Sequence, residues 1–255
     1  MSSAVPISPP PVPGPGGDQL PAYVSNGVIG LRVPAVPLQP GVAMLNGLAA
    51  LHPVLGIEYS PQAPYPLAGD LAVGGVRLSE WPQCAGGIEQ RYDFACGELH
   101  STFRAELDGT LLDVEVLTFA SRSHPALVLQ EVSVTASRAC ELTLTAVVST
   151  AGVPGRVERR TVGVDSPEGD LADGLLRFEP VGGISSSGLA VWTEGPGGDD
   201  ARERADWRGN GELATSYRVH ARRGRSYRLR QVAAMVPSLA HSVAEHHAVR
   251  LLRSG

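Results

Sequence analysis

Apolar and polar residues alternate along most of the chain after position 21, and a period of two is typical of half-buried β-strands. The segment Leu111–Phe119 places Leu112 and Val114 on one face, with acidic residues between them on the other. The same alternation runs through Pro125–Ser137 and Cys140–Ser149. These segments are therefore predicted to be antiparallel strands with one face in the core and one face toward solvent.

Segments of similar composition extend this prediction over the body of the chain. Nine more are predicted as strands: Val24–Val33, Leu71–Leu78, Glu89–Ala95, Glu98–Leu107, Val157–Val164, Leu175–Pro180, Leu189–Thr193, Leu213–Ala221 and Ser226–Val236. Gly or Asp-Gly separates several runs, at 95–98, 107–110 and 222–225, and these residues tolerate the positive φ angles of tight hairpins. About a dozen strands exceed the seven of a simple sandwich. The pattern predicts an all-β fold of two large antiparallel sheets packed face to face, a supersandwich.

The two ends of the chain differ from this body. Residues 1–21 are rich in proline and are predicted to form a disordered tail. After residue 237 the period changes, because Leu239, Val243 and Leu252 recur at helical spacing behind Ser238, the predicted N-cap. The sequence thus predicts three parts, which are the tail at 1–21, a β-supersandwich domain at 22–237 and a truncated linker helix at 238–255.

Composition and charge exclude several classes of protein. The chain has 26 acidic and 21 basic residues and a net charge of −5, which argues against binding to nucleic acid or to an anionic membrane. Its apolar stretches are too short to span a bilayer, and Met1–Pro21 lacks the features of a secretion signal, so we expect a cytoplasmic protein. The three cysteines form no C-x-x-C pair and are predicted to be buried, reduced thiols.

Common catalytic motifs are missing from the contexts that they require, and no cofactor or metal is predicted. His241, Glu245, His246 and His247 cluster near the end of the chain, and an i, i+4 spacing is one that a metal site can use. We interpret this cluster as a solvated helix end, since histidines near a helix C-terminus suit the helix dipole. The carboxylates on predicted strands do not select the acid and base pair that glycoside cleavage needs.

Aromatic rings are the candidates for carbohydrate contact, because the C–H faces of sugars pack well on them. Trp81, in a Pro-rich segment, Trp207 and Tyr65 are the predicted carbohydrate-binding residues, whereas Trp192 lies in a predicted strand and is assigned to the core. A mutarotase-like enzyme would instead need a histidine and a carboxylate in one pocket. The histidines outside the terminal helix that could serve are His52, His100, His124 and His220.

Several short motifs occur in the order found in glycoside hydrolase family 65. Tyr23–Val33 resembles the family's opening NG-x-x-G-x-R element, and Phe119–Pro125 is similar to its F-x-S-R strand ending. The hairpin at Arg91–Leu99 resembles its LDL-x-x-G-x-L element, and Val232–Ser238 is similar to its last strand before the linker helix. The resemblance runs from about residue 22 to the end of the chain, and it is to the family's N-terminal domain.

This resemblance implies a fold, a set of roles and a partner. The family holds inverting α-glucosidases and phosphorylases that act on trehalose, kojibiose or maltose. Its N-terminal domain is a galactose-mutarotase-like supersandwich, followed by a linker helix and an (α/α)6 barrel that carries the general-acid glutamate. The barrel is absent from this sequence, so no catalytic residue is transferred. The implied roles are to support the barrel, to shape the entrance to its sugar site and to contribute to dimer contacts.

Three functions stay open on the sequence alone. The first is a non-catalytic N-terminal domain that pairs with a barrel-bearing chain or domain acting on an α-glucoside, with homodimer contacts; an exposed apolar patch near the terminal helix would mark it. The second is a stand-alone carbohydrate-binding module, which needs an exposed aromatic ring over a polar groove. The third is a mutarotase-like sugar enzyme, which needs a histidine and a carboxylate converging in one pocket.

Overall fold

The computed structural model describes residues 5–7, 22–36, 38–166, 169–197, 201–204 and 212–254. Strands dominate this part of the chain, accompanied by one α-helix, α1 (Ala244–Ser254), and two short 3-10 helices at Leu78–Glu80 and Pro82–Cys84. The strands are, in chain order, β1 (Val5–Ile7), β2 (Ala22–Ser25), β3 (Ile29–Val33), β4 (Val42–Leu45), β5 (Ala50–Leu51), β6 (Glu58–Tyr59), β7 (Gln62–Ala63), β8 (Tyr65–Val73), β9 (Val76–Arg77), β10 (Ala85–Asp93), β11 (Glu98–Leu107), β12 (Thr110–Ala120), β13 (Leu127–Ala136), β14 (Cys140–Ser149), β15 (Gly155–Ser166), β16 (Gly169–Pro180), β17 (Ser187–Glu194), β18 (Ala201–Arg204), β19 (Leu213–Ala221) and β20 (Ser226–Pro237).

One layer of the fold is an antiparallel sheet of nine described strands in the order β1-β10-β11-β12-β13-β20-β17-β16-β15. Its first half is a meander, since β10 to β13 pair in sequence order through turns of two to six residues. One of these turns holds Asp108 at φ 46° and Gly109 at φ 63°, the left-handed conformations that close a two-residue hairpin. β20 then pairs with β13 on one side and β17 on the other, which joins the two halves of the sheet.

The opposite layer consists of two smaller antiparallel sheets. Five strands pair in the order β18-β19-β14-β8-β9, and four pair in the order β2-β3-β4-β7. One apolar cluster, with Val114, Leu144 and Leu229, fills the space between the nine-stranded and five-stranded sheets. A second cluster, with Leu31 and Met235, fills the space under the four-stranded sheet. The predicted all-β sandwich with a short C-terminal helix is therefore confirmed.

Helix α1 covers the other face of the nine-stranded sheet, called here the outer face. Ala190 and Ala234 point toward the helix and pack with Ala248 and Val249, whereas their strand neighbours point into the core between the sheets. The helix begins at residue 244, six positions after Ser238. The Ser238 hydroxyl accepts a bond from the backbone N–H of residue 186 at 2.9 Å, so it ties the chain to the start of β17 instead of capping the helix.

Three other predictions, on the tail, the cysteines and membrane-spanning segments, can be compared with the structure. Most of the predicted Pro-rich tail lies outside the described residues, and within it β1 pairs with β10. The thiols are free but not buried, because Cys84 and Cys140 are half-buried and Cys96 is exposed in the turn between β10 and β11. Partial burial raises the pKa of Cys140, against the opposing charge of Arg138. In the part of the chain that the structure describes, no helix combines the length and the apolar composition needed to cross a membrane.

Candidate functional site

Asn26 joins two of the sequence motifs in space. Its side-chain Nδ2 donates to the carbonyl oxygens of Ser121 at 2.7 Å and Pro125 at 2.9 Å. Its Oδ1 accepts from the backbone N–H of Ile29 at 2.9 Å, and Gly27 between them has φ +89°, a conformation that favours glycine. The opening motif and the strand-ending motif are thus two halves of one hydrogen-bonded joint, which fixes the four-stranded sheet to the nine-stranded one.

Exposed apolar side chains gather at one end of the sandwich. Eight of the thirteen large exposed apolar side chains among the described residues belong to three neighbouring segments, which are the β5–β6 hairpin, the β16–β17 loop and the stretch between β20 and α1. We call these eight the apolar end surface: Leu51, Val54, Leu55, Ile57, Val181, Ile184, Leu239 and Val243. The most exposed are Val54 at 85% and Leu55 and Leu239 at 65%. A concentration of this kind marks an interaction site more often than chance exposure does.

Backbone hydrogen bonds hold the three segments together. The N–H of Leu51 donates to the carbonyl of Gly182 at 2.8 Å, and the N–H of Ile184 donates to the carbonyl of Ala49 at 2.9 Å. The N–H of Ser238 donates to the carbonyl of Ser186 at 2.7 Å, which brings the stretch after β20 beside the same loop. The apolar end surface is therefore one connected structure rather than three independent loops.

The tip of the β5–β6 hairpin is ordered by a histidine. His52 Nδ1 accepts from the backbone N–H groups of Val54 at 3.3 Å and Leu55 at 3.2 Å. The His52 ring also lies edge-on to the Tyr59 ring, with centroids 6.2 Å apart. Because its most exposed residues are held in this way, the hairpin loses little conformational freedom when a partner covers it.

Helix α1 packs closely on β17, beside the apolar end surface, because residue 188 is a glycine and has no side chain. A Cβ atom on Gly188 would stand 2.1 Å from the backbone nitrogen of Glu245 and 2.2 Å from the carbonyl carbon of Ala244. These are backbone atoms, so they cannot turn aside as a flexible side chain can. The helix therefore meets β17 at a distance that only glycine permits.

The predicted solvated cluster at the helix is divided by the fold. Glu245 is 1% exposed, and its Oε1 accepts from Arg159 Nη1 at 3.2 Å, so this residue is an inward ion-pair partner and the interpretation as a solvated end is wrong for it. His241 and His247 stack with ring centroids 3.6 Å apart. Burial lowers the pKa of His247, and the charges of His241 and Arg250 lower it further. Within the described residues, no group of three or more potential ligands is arranged to hold a metal ion.

Of the three residues predicted to contact carbohydrate, the structure describes two, Tyr65 and Trp81. Tyr65 is 1% exposed in the core, so its ring is not a surface platform, and burial raises the pKa of its phenol. Its hydroxyl has no hydrogen-bond partner among the described residues. Trp81 is 51% exposed between the two 3-10 helices. Trp207 lies outside the described residues. Contact between Trp81 and a sugar stays a prediction.

A histidine and a carboxylate meet only at the surface of the described part. His100 Nε2 and Glu98 Oε2 are 3.2 Å apart on β11, with side-chain exposures of 50% and 32%. His124 binds the hydroxyl of its neighbour Ser123 at 3.2 Å in the loop before β13. Neither arrangement is an enclosed pocket in which a base and an acid face a sugar.

Sequence reasoning missed a cavity on the outer face of the nine-stranded sheet. Trp192 is half-buried there rather than in the core, because its neighbours in β17, Val191 and Thr193, take the inward positions. The cavity has a volume of about 410 Å³. We call it the outer-face cavity. Its lining comes from four strands and from the helix, and consists of Leu117, Phe119, Leu129, Glu131, Trp192, Arg230 and Val232 on the strands and Leu252 on α1. The sequence does contain an indication of this cavity, because apolar residues occupy positions on four strands where the alternation predicts a solvent-facing side chain.

Comparison with solved structures gives the same architecture. A structure described as a kojibiose phosphorylase from human microbiome matches with a TM-score of 0.65 and 9% identity, over 91% of this chain and 34% of that chain. At this identity the likeness shows the fold, and the present chain spans about a third of that protein. Two heparinase III structures match 59% of this chain and 20% of theirs, at 13% and 15% identity and TM-scores of 0.33 and 0.32, too low to carry an argument. No protein-family model and no curated protein matches the sequence.

Proposed function

We propose that this chain is a non-catalytic β-sandwich domain of an α-glucoside hydrolase or phosphorylase of the family 65 type. In this role it supports an (α/α)6 barrel, on the same or another chain, and shapes the entrance to the barrel's sugar site. The observation that carries the proposal is the apolar end surface beside α1. The fold likeness to a structure described as a kojibiose phosphorylase, of which this chain spans 34%, supports the same assignment.

The chemistry of the apolar end surface favours a dry protein contact. His52 is the sole ionisable residue between Leu51 and Ile57, so a partner would desolvate few charges there. Fully burying one Leu, Ile or Val side chain contributes about 1.5–3 kcal/mol. Eight partly exposed side chains of this kind supply enough apolar area for stable association, provided that the partner presents a complementary apolar face.

In this proposal the barrel cleaves the glycosidic bond and the β-sandwich domain does not. The two carboxylates beside the outer-face cavity, Glu131 and Glu194, are both ion-paired with Arg230, whereas glycoside cleavage needs a general acid opposite a base or nucleophile. The sandwich would contribute by holding the barrel and by ordering loops near its sugar site. A homodimer formed through the apolar end surface is a competing outcome.

The decisive experiment measures α-glucoside cleavage, with and without phosphate, by this chain alone and mixed with a candidate barrel chain. We expect activity in the mixture and none in this chain alone. Leu55→Asp places a charge in the apolar end surface and should abolish association. Leu111→Asp is the matched control, because Leu111 is a 39% exposed leucine near the start of β12 and does not belong to the apolar end surface.

The outcomes of this experiment separate the alternatives. Activity in the chain alone would refute a non-catalytic role. Equal loss of association in Leu55→Asp and Leu111→Asp would refute the assignment of the apolar end surface. A stable homodimer that Leu55→Asp dissociates, without binding to a barrel chain, would show that the surface joins two copies of this chain.

A carbohydrate-binding module is the second candidate, on the observation that Trp81 is 51% exposed. Its test is a calorimetric titration of an α-glucoside against the wild-type chain and Trp81→Ala. Binding that disappears in the variant would favour this function over the supporting role.

A further inference from the structure

The outer-face cavity is built from two parallel rows of side chains that cross four strands. The first row is apolar and runs through the register partners Phe119, Leu129, Val232 and Trp192. Neighbouring strands lie about 4.8 Å apart, so this row is about 14 Å long with an aromatic ring at each end. All four side chains are half-buried, which leaves part of each accessible from the cavity.

The second row lies two residues along each strand. It begins with Leu117 on β12, and its other three members are charged, which are Glu131 on β13, Arg230 on β20 and Glu194 on β17. Arg230 Nη2 donates to Glu131 Oε2 at 2.9 Å, and Arg230 Nη1 donates to Glu194 Oε2 at 2.9 Å. The guanidinium therefore holds both carboxylates in fixed positions along one side of the apolar row.

This arrangement has the composition of a small-molecule site. Such sites have volumes of about 300–1,000 Å³ and are lined mainly by apolar and aromatic side chains with a few fixed polar groups. The outer-face cavity meets both conditions at about 410 Å³. None of its lining residues belongs to the apolar end surface, because they lie on four strands of the sheet and, for Leu252, on the last turn of α1.

The chemistry of the two rows favours one class of ligand over the others. An anion is disfavoured, because Arg230 is already bound to both Glu131 and Glu194. A purely apolar ligand would leave the charged row partly desolvated and without new hydrogen bonds. A pyranoside fits both rows, since its C–H face packs on aromatic rings while its hydroxyls donate to carboxylates and accept from a guanidinium.

We propose that the outer-face cavity binds a neutral pyranoside of disaccharide size, with its ring faces on Trp192 and Phe119 and its hydroxyls on Glu131. This role goes beyond support of a barrel. It would hold a sugar on the sheet face, away from the loops that dock a partner. It is also distinct from sugar contact at Trp81, which lies on the loop after β9.

The test is calorimetric titration of kojibiose into the full chain, with sorbitol as an acyclic polyol control. We expect saturable binding of kojibiose and none of sorbitol, because only the disaccharide has flat C–H faces. Trp192→Leu keeps an apolar side chain and should weaken binding by about tenfold or more. Phe94→Leu is the matched control, since Phe94 is 66% exposed outside the cavity, and its affinity should equal that of the wild type.

A second variant keeps the proposal testable if Trp192→Leu fails to fold. Glu131→Gln conserves shape and removes one carboxylate, and it should also weaken kojibiose binding. Absence of saturable binding in the wild type would overturn the proposal, as would full affinity in both variants or a loss of binding confined to Trp81→Ala. If Trp192→Leu no longer binds a barrel chain, the cavity is part of a protein interface and the proposed sugar site is refuted. The proposed supporting role would still stand in that case.

Discussion

Replacing Gly188 by alanine tests how closely α1 is seated on the outer face. The new Cβ would stand 2.1 Å from the Glu245 nitrogen, whereas an ordinary van der Waals contact begins at 3.4 Å, so the helix start must withdraw by about 1.3 Å. Overpacking of this kind costs about 1–3 kcal/mol. For a protein of this size, each kcal/mol shifts Tm by about 2–4 °C. We therefore expect Gly188→Ala to lower Tm by about 2–12 °C.

The assay is thermal unfolding followed by circular dichroism, with Gly30→Ala as the matched control. A Cβ on Gly30 would come no closer than 3.8 Å to the Ser25 hydroxyl oxygen, so this strand glycine should accept alanine with a Tm change below about 2 °C. If Gly188→Ala melts at the same temperature as Gly30→Ala, the helix is not held at the glycine-limited distance. Because α1 adjoins the apolar end surface, the same variant should also weaken docking of a barrel chain.

Three further predictions concern stability. Tyr65→Phe removes a buried hydroxyl that has no partner among the described residues, and urea unfolding should give a free energy of unfolding about 1 kcal/mol higher. Asn26→Ala removes two side-chain bonds to the loop before β13 and should lower the free energy of unfolding by about 1–3 kcal/mol, with faster amide exchange in that loop. The pKa of His247 in the folded protein lies below its ordinary 6.5, so the contribution of the neutral ring to stability is complete above pH 6.5 and is lost as the pH falls from 6.5 through the lowered pKa. Tm should therefore fall less from pH 8 to pH 5 in His247→Gln than in the wild type.

Each of these predictions has a result that contradicts it. A less stable Tyr65→Phe would mean that the phenol is hydrogen-bonded in solution. An unchanged Asn26→Ala would mean that the joint between the two motifs is held by packing alone. For His247, an identical dependence of Tm on pH in the variant and the wild type would show that the stacked pair does not oppose protonation. The expected effect is small, because solvent screens this partly exposed group.

The sequence predicted the long strands well where one face is buried and the other solvated. The bounds of β11, β14 and β19 agree with the predicted segments, because alternation is strict there and Gly or Asp marks the turns. The short strands β4 to β7 were not predicted. They lie in a region rich in Pro and Gly and contain two to four residues each, too few for a period to appear.

The candidate sites were less accessible to sequence reasoning. Tyr65 stands between prolines and resembles a loop residue, yet it opens β8 and is buried by the four-stranded sheet packed above it. Trp192 lies in a strand as expected, but which face is inward depends on its neighbours Val191 and Thr193 and on the position of α1. The apolar end surface joins segments more than a hundred residues apart in the chain, and only the tertiary fold brings them together.

The central position of β20 has a consequence for the order in which the protein is made. β20 is the last described strand to leave the ribosome, and it alone links β13 to β17. β20 ends 43 residues after β17, so synthesis at about 5–20 residues per second leaves the two halves of the nine-stranded sheet unjoined for about 2–9 s after β17 is made. During that interval the edges of β13 and β17 carry unpaired backbone groups that could pair with another nascent chain. Chaperone capture should therefore peak before residue 237 is translated and decline once β20 closes the sheet.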